Sequence, residues 1–173
     1  MDSTDRFSYE WEKFDKIIPE YEMQLKKWIH PLLPKDFKNR TVLDAGCGTG
    51  RNSYWILKYG AKSITALDYD KKTVAVAKKN LSGFRNAKTI YQSIYKMSYK
   101  ENFDIVICIG VIHHLENPKL AIEKLIKATK KGGKLVIWVY GYEGNEWIKK
   151  YIDPVRFFTS RLQLPMVNFI SAI

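Results

Sequence analysis

Residues Leu43–Arg51 read LDAGCGTGR, an aspartate followed by glycines at three alternate positions, Gly46, Gly48 and Gly50. Glycine costs backbone entropy on folding, so this density indicates a chain that must bend sharply or lie against a ligand. Asp44 stands two residues before the first glycine, where its charge repels a diphosphate and attracts a cation. The stretch therefore predicts a binding loop for a nucleotide-type ligand that carries positive charge.

Two common phosphate-binding loops fit this stretch less well. The dinucleotide pattern G-x-G-x-x-G needs a third glycine where this chain has Arg51. A P-loop needs Gly-Lys followed by Ser or Thr, and no such triplet follows the glycines. An NAD-binding domain and a non-catalytic binding module stay open as alternatives to an enzyme.

The pair His113-His114 is the second candidate for chemistry, and it follows the apolar run FDIVICI. An imidazole with a pKa near neutrality can accept a proton from an oxygen or nitrogen nucleophile. Adjacent side chains do not both point the same way, so we expect one of the two at most to act as a base.

The surrounding pattern predicts the elements that position these residues. Apolar runs predict five strands, at Thr41–Ala45, Ser63–Asp68, Ala87–Tyr91, Phe103–Ile109 and 134–140. Helices are expected at Arg51–Tyr59, after Asp70, and from Pro118 to the Gly132-Gly133 pair. Strands of this kind alternating with helices are typical of a parallel sheet covered on both faces, which binds ligands at the carboxyl ends of its strands.

Composition narrows the class of protein and its partners. The chain has 173 residues, of which 46% are hydrophobic, as expected for a folded domain. Its net charge is +11, but the 29 basic residues are mostly scattered lysines, which argues against a dedicated nucleic-acid surface. No apolar run approaches a membrane span, and the two cysteines show no metal-ligand spacing. We expect a cytoplasmic protein without a bound metal.

VLDAGCGTGR followed by ALDYD resembles the class I S-adenosylmethionine (SAM)-dependent methyltransferases, in the branch of small general methyltransferase domains. The match continues through FDIVICIGVIHHLENP and KGGKLVIWVY, and it covers about residues 41–140 in the family's order. The resemblance implies an α/β fold, a Rossmann-like three-layer sandwich with a mainly parallel sheet. It also implies SAM as cofactor, with S-adenosylhomocysteine as product. The charge argument agrees, because SAM carries a sulfonium and an ammonium group.

The resemblance implies roles for particular residues. The glycine bend, with Asp44 and Ala45, holds the methionine end of SAM, and Asp68 accepts hydrogen bonds from both ribose hydroxyls. Family members often carry an acid after the third strand, where this chain has Ser93. The implied cofactor-binding residues are Asp44, Ala45, Gly46, Gly48, Gly50, Asp68, Tyr69, Ser93, Ile94, Cys108, Ile109 and Gly110.

Two further roles follow from the resemblance. The family pattern most often keeps the second histidine, which favours His114 over His113 as the base. Similar enzymes close an N-terminal segment over SAM, and the aromatic stretch FSYEWEKF makes Tyr9 and Trp11 candidates for this cap.

Three regions are expected along the chain. Residues 1–40 predict a helical N-terminal cap, since Ile17, Tyr21, Leu25 and Trp28 recur at helical spacing, and residues 41–140 the SAM-binding core. Residues 141–173 predict short helices, where the family has two further strands. The C-terminal strands are therefore missing or replaced by helices. The apolar ending MVNFISAI favours a truncated chain, or a homodimer interface.

The predicted function is transfer of a methyl group from SAM to an oxygen, nitrogen or carbon atom of a small-molecule acceptor. An RNA or protein methyltransferase is the alternative, supported by the net charge. Enzymes of this fold that methylate nucleic-acid amino groups usually carry [DN]-P-P-[YF] after the fourth strand, where this chain has GVIHHL. That difference counts against methylation of base amino groups.

Overall fold

The computed structural model describes residues 16–141. The described strands are β1 (Thr41–Ala45), β2 (Ser63–Asp68), β3 (Ala87–Tyr91), β4 (Phe103–Ile109) and β5 (Thr129–Trp138). The described helices are α1 (Glu20–Trp28), α2 (Arg51–Lys58), α3 (Lys71–Asn80) and α4 (Pro118–Ala128). The described residues from 16 to 139 belong to one compact unit, and of the second unit only Tyr140 and Gly141 are described.

The five strands form one parallel sheet in the order β3-β2-β1-β4-β5. The chain builds the sheet outward from β1 to β3 and then returns to place β4 on the other side of β1. The order reverses between β1 and β4, so the loops after these two strands diverge and leave a crevice at their carboxyl ends. The predicted α/β, Rossmann-like fold is confirmed.

Alternate residues of the central strands face two separate apolar cores, which gives the three layers. On one face Val42 packs with Leu25 of α1 and Ile56 of α2. On the other face Leu43 packs with Leu125 of α4. Because β1 and β4 are buried on both faces, their sequences are near-continuous apolar runs.

Local signals set most of the helix bounds. Asp70 starts α3 as predicted, since its carboxylate accepts a hydrogen bond from the Lys72 backbone N–H at 3.0 Å. The first helix is shorter than predicted. Its apolar spacing extends back to Ile17, but α1 begins at Glu20 because Pro19, at the N-cap, cannot continue the hydrogen-bonding pattern of a longer helix.

The prediction for the end of α4 was wrong. The Gly132-Gly133 pair was expected to end it, but α4 ends at Ala128 and both glycines lie within β5. Phe103 of β4 pairs with Thr129, whereas Ile105 pairs with Lys134, so β5 bulges away from β4 between these two pairs. Glycine here permits a strand irregularity and does not serve as a helix stop.

The ends of the chain lie outside the described residues. These include the cap candidates Tyr9 and Trp11 and nearly all of the segment 141–173, with its expected helices and homodimer interface. The corresponding expectations stay predictions. Within residues 16–141, no helix is both long and apolar enough to cross a membrane.

Candidate active site

The glycine bend after β1 is held against the end of β2. The backbone N–H groups of Gly46 and Cys47 both donate to the carbonyl of Leu67, at 2.8 and 2.9 Å. Gly46, Gly48 and Gly50 all have positive φ, at 80°, 54° and 79°, a region that favours glycine. The backbone conformation of the bend is therefore by itself a sufficient reason for glycine at these three positions.

Gly46 and Gly48 have different surroundings, and each position favours glycine for a different reason. A Cβ atom at Gly46 would collide with the side chain of Val111, so this position needs glycine for close packing. A Cβ at Gly48 would meet no atom of residues 16–141 within 4 Å and would enter open space. Gly48 thus leaves room for a ligand against bare backbone.

Asp68 ends β2 beside this space with a fixed carboxylate. Its Oδ2 accepts from the Gly48 N–H at 2.9 Å, and its Oδ1 accepts from the Asp70 N–H at 3.0 Å. Burial raises the pKa of Asp68, and these backbone hydrogen bonds oppose that rise. Each oxygen keeps a further lone pair, so the group can accept from two neighbouring hydroxyls of a ligand.

Asp44 is the second acid near the bend, and it is 1% exposed. Its Oδ2 accepts from the Ser53 hydroxyl at 2.7 Å, while its Oδ1 is buried without a hydrogen-bond partner. Burial, reinforced by the charge of Asp68, raises the pKa of Asp44 to about 7. An orphaned buried oxygen of this kind is suited to a cationic ligand.

A cavity of about 580 Å³ lies at the carboxyl ends of the strands, within the usual size range of small-molecule sites. The glycine bend, the end of β2, the segment after β3 and the loop after β4 surround it. The predicted site residues that line it are Gly46, Gly48, Asp68, Tyr69, Ser93, Ile94, Ile109, Gly110 and His114.

The other predicted residues that the structure describes do not line this cavity. Ala45 and Cys108 lie in the core that faces α4. Gly50 packs closely against α3, where a Cβ would come within 3.3 Å of Ala77. Asp44 is part of the buried wall of β1, and His113 lies outside the lining. Their roles toward the cofactor stay predictions.

Several lining residues were missed by the sequence analysis. Gln92 directly follows β3, and a search for polar residues at the carboxyl ends of the predicted strands would have found it. Arg51 was noted only as a mismatch to the dinucleotide pattern. Its guanidinium also lies 4.8 Å from the ring centre of Tyr21, a cation–π contact that ties α1 to the cavity wall. The missed residues are Cys47, Thr49, Arg51, Asn52, Leu67, Asp70, Thr73, Gln92, Tyr95, Val111, Leu115 and Glu116.

The histidine pair lies in a short 3₁₀ turn, Ile112–His114, after β4. The two ring centres are 4.0 Å apart, and of the pair only His114 lines the cavity. Burial lowers the pKa of His114, and burial together with the charge of His114 lowers the pKa of His113. Near pH 7 the His114 imidazole is therefore neutral and able to accept a proton.

A family model described as a methyltransferase domain matches residues 36–147 of this chain. The chain belongs to the class I SAM-dependent methyltransferases. The predicted cofactor, SAM, is that of this family. The matched region spans β1 to β5 and therefore the whole crevice at the switch in strand order.

Curated relatives extend beyond the region that they share with this chain. The tRNA U34 carboxymethyltransferase of Actinobacillus pleuropneumoniae serotype 3 is 30% identical over 142 residues, which cover 79% of this chain and 40% of that protein. The Haemophilus influenzae PittGG protein of the same name is 28% identical over 95% of this chain and 48% of its own length. The chain thus spans less than half the length of these relatives.

Solved structures agree on the fold. A Methanococcus maripaludis protein superposes with a TM-score of 0.66 at 21% identity, covering 98% of this chain and 80% of its own. The N-methyltransferase NodS from Bradyrhizobium japonicum, solved with S-adenosylhomocysteine, gives 0.59 at 21% identity, covering 68% and 59%. At this identity the likeness concerns the fold alone.

Replacing Gly48 by alanine should weaken SAM binding at least about tenfold, because the new methyl group enters the open space beside Asp68. The left-handed backbone separately costs about 1–2 kcal/mol of folding stability. Gly60 is the matched control, since it also has positive φ, at 87°, but lies outside the cavity lining. Gly60→Ala should lower the melting temperature and leave SAM affinity unchanged in titration calorimetry. Equal affinities of the two variants would show that Gly48 does not face the cofactor.

The pH dependence of stability tests the burial of Asp44. Its pKa is raised from 3.8 to about 7, so the unfolded state ionises first and stability is lost as pH rises from about 4 to about 7. The amide in the Asp44→Asn variant cannot ionise. Between pH 5 and pH 8 the wild type should therefore lose about 1–3 kcal/mol more unfolding free energy than this variant. Urea denaturation at both pH values measures this, and parallel losses in the two proteins would contradict it.

Proposed function

We propose that this chain transfers a methyl group from SAM to a nucleophilic atom of an RNA. The observation that carries the transferase proposal is one crevice that brings together the open side of Gly48, the Asp68 carboxylate and the His114 imidazole. These are the groups needed to hold a nucleoside and to take a proton from its reaction partner.

The residues present fit SAM. Gly48 offers backbone without a side chain, Asp68 offers two acceptor oxygens for the ribose hydroxyls, and Asp44 supplies an unpaired buried oxygen near the bend. Bound SAM supplies a methyl group on a sulfonium centre that is already activated for displacement. The chain must then hold the acceptor in line and exclude water.

His114 is the proposed base. Its neutral imidazole lies on the cavity wall after β4, next to Leu115 and Glu116, which line the same space. An oxygen or neutral nitrogen acceptor loses a proton as it takes the methyl group, and the lowered pKa of His114 keeps its imidazole unprotonated at pH 7.

The proposal of an RNA acceptor is supported by the name shared by two relatives, tRNA U34 carboxymethyltransferase, and by the net charge of +11. The second candidate is a small-molecule acceptor, which the sequence analysis preferred. A small-molecule acceptor is favoured because the basic residues are scattered along the chain and most of them are lysines.

A transfer assay with methyl-labelled SAM tests the proposal, with bulk tRNA in one arm and a small-metabolite pool in the other. We expect label in the tRNA arm and none when the protein is omitted. Asp68→Ala should weaken SAM binding by about 1.5–3 kcal/mol, the value of hydrogen bonds to a charged group, and reduce transfer in parallel. Label found only in the small-metabolite arm would show that the acceptor is a small molecule and not RNA. Unchanged SAM affinity in the Asp68→Ala variant would show that Asp68 does not bind the cofactor.

The two histidines provide a matched pair for the base. His114→Asn should lower kcat about 10²–10⁴-fold and abolish the loss of activity that we expect of the wild type as pH falls through the lowered pKa of His114 and its imidazole becomes protonated. His113→Asn should keep that pH profile, because His113 does not line the cavity. Rates measured from about pH 5 to 8 compare them. A His114→Asn enzyme that retains the wild-type profile would show that another group, or none, acts as base.

A further inference from the structure

A second concavity, of about 300 Å³, lies at the opposite end of the sheet from the cofactor cavity. Its walls are the segment between α1 and β1, the start of β4 and the bulged start of β5. We call it the basic cleft, because it is lined by six cationic side chains, Lys35, Lys38, Arg40, Lys130, Lys131 and Lys134.

The acids of the basic cleft are already engaged. The Asp36 carboxylate accepts from the Leu33 N–H at 2.8 Å. The Asp104 carboxylate accepts from the Thr41 N–H at 2.8 Å and from Lys130 Nζ at 2.9 Å. Burial acts to raise the pKa of Asp104, but these bonds hold it well below its usual value, so the group stays ionised.

The cleft contains five cationic side chains besides Lys130, which pairs with Asp104. Lys35, Lys38, Arg40, Lys131 and Lys134 are exposed, and no acid among the described residues forms a salt bridge with them. Like charges repel one another when they are gathered in a concave surface, so this arrangement costs free energy unless an anion offsets it.

The bulge of β5 builds one wall of the cleft. Gly132 has a positive φ of 73°, and a Cβ at Gly133 would come within 2.9 Å of the carbonyl oxygens of Asp104 and Lys130. The two glycines thus let the backbone turn tightly against β4. This turn displays Lys131 and Lys134 on either side of it, both exposed.

We propose that the basic cleft binds the phosphate backbone of RNA, and this inference rests on the proposed RNA acceptor. A groove with several cations that tracks a backbone is the usual electrostatic design of single-strand binding sites. None of the described residues that line the cleft is aromatic and could stack on a base, so we expect binding there to be independent of sequence.

The cleft positions RNA and does not take part in methyl transfer. Five-residue β1 separates it from the cofactor cavity, a distance of about 16 Å at 3.3 Å per residue. A strand held in the cleft therefore lies apart from the methyl group, and another part of the same RNA must reach the cavity. Two attachment points on one RNA raise the overall affinity above that of either.

Charge reversal tests the cleft in the full chain. Lys131→Glu/Lys134→Glu should weaken binding of a fluorescent 20-nucleotide RNA at least about tenfold. It should also lower the slope of log affinity against log salt by about 1.4, the value for two lost single-strand phosphate contacts. Lys78→Glu/Lys88→Glu is the control. It changes net charge equally, but its residues lie on α3 and on β3, the strand at the other edge of the sheet.

The outcomes separate this proposal from the proposed function. Equal losses of RNA affinity in the two double variants would overturn the proposal that the basic cleft binds RNA, even if the wild type methylates RNA. Binding of tripolyphosphate without binding of RNA would overturn it too. Selective loss in Lys131→Glu/Lys134→Glu, with SAM affinity unchanged in calorimetry, supports the cleft. If the same wild-type protein leaves RNA unmethylated, the cleft stands and the proposed acceptor fails.

Discussion

The site depends on the hydrogen bonds that attach the glycine bend to the end of β2. Leu67 accepts two backbone N–H groups of the bend, and the Asp68 carboxylate accepts a third, from Gly48. These bonds hold two neighbouring parallel strands in one arrangement at their carboxyl ends, so the bare backbone of Gly48 and the oxygens of Asp68 border the same space. Without them, a loop of three left-handed glycines would have many conformations, and a ligand would have to order it on binding.

Burial of the Asp44 and Asp68 carboxylates near the bend costs desolvation free energy, which a nearby positive charge can offset. Asp44 has one buried oxygen without a partner, and burial raises the pKa of both Asp44 and Asp68. Protonation of Asp44 relieves part of this cost at low pH, and a nearby positive charge would relieve it at neutral pH. A diphosphate would do the reverse, because it adds negative charge beside two carboxylates. The burial of these two acids therefore fits a cation near the bend better than a diphosphate.

Much of the fold could be predicted from the sequence because its signals are local. The predicted bounds of β1 to β4 are confirmed, since buried parallel strands are short apolar runs between helices. The start of β5 was missed because a glycine pair signals both a helix end and a strand bulge, and pairing with β4 decides between them. At the site, Asp68 was found from its motif, whereas residues such as Tyr95 reach the cavity through tertiary packing that no local pattern records.

A parallel sheet gives this basic chain two ends with opposite electrostatic character. The carboxyl ends of the strands gather Asp44, Asp68 and Asp70, and the amino ends gather the cations of the basic cleft. The length of β1, about 16 Å, exceeds the Debye length of about 8 Å at physiological salt. Through solvent, therefore, neither end cancels the field of the other. One small domain can in this way offer an acidic crevice to a cationic cofactor and a basic cleft to an anionic partner, and its net charge describes neither surface.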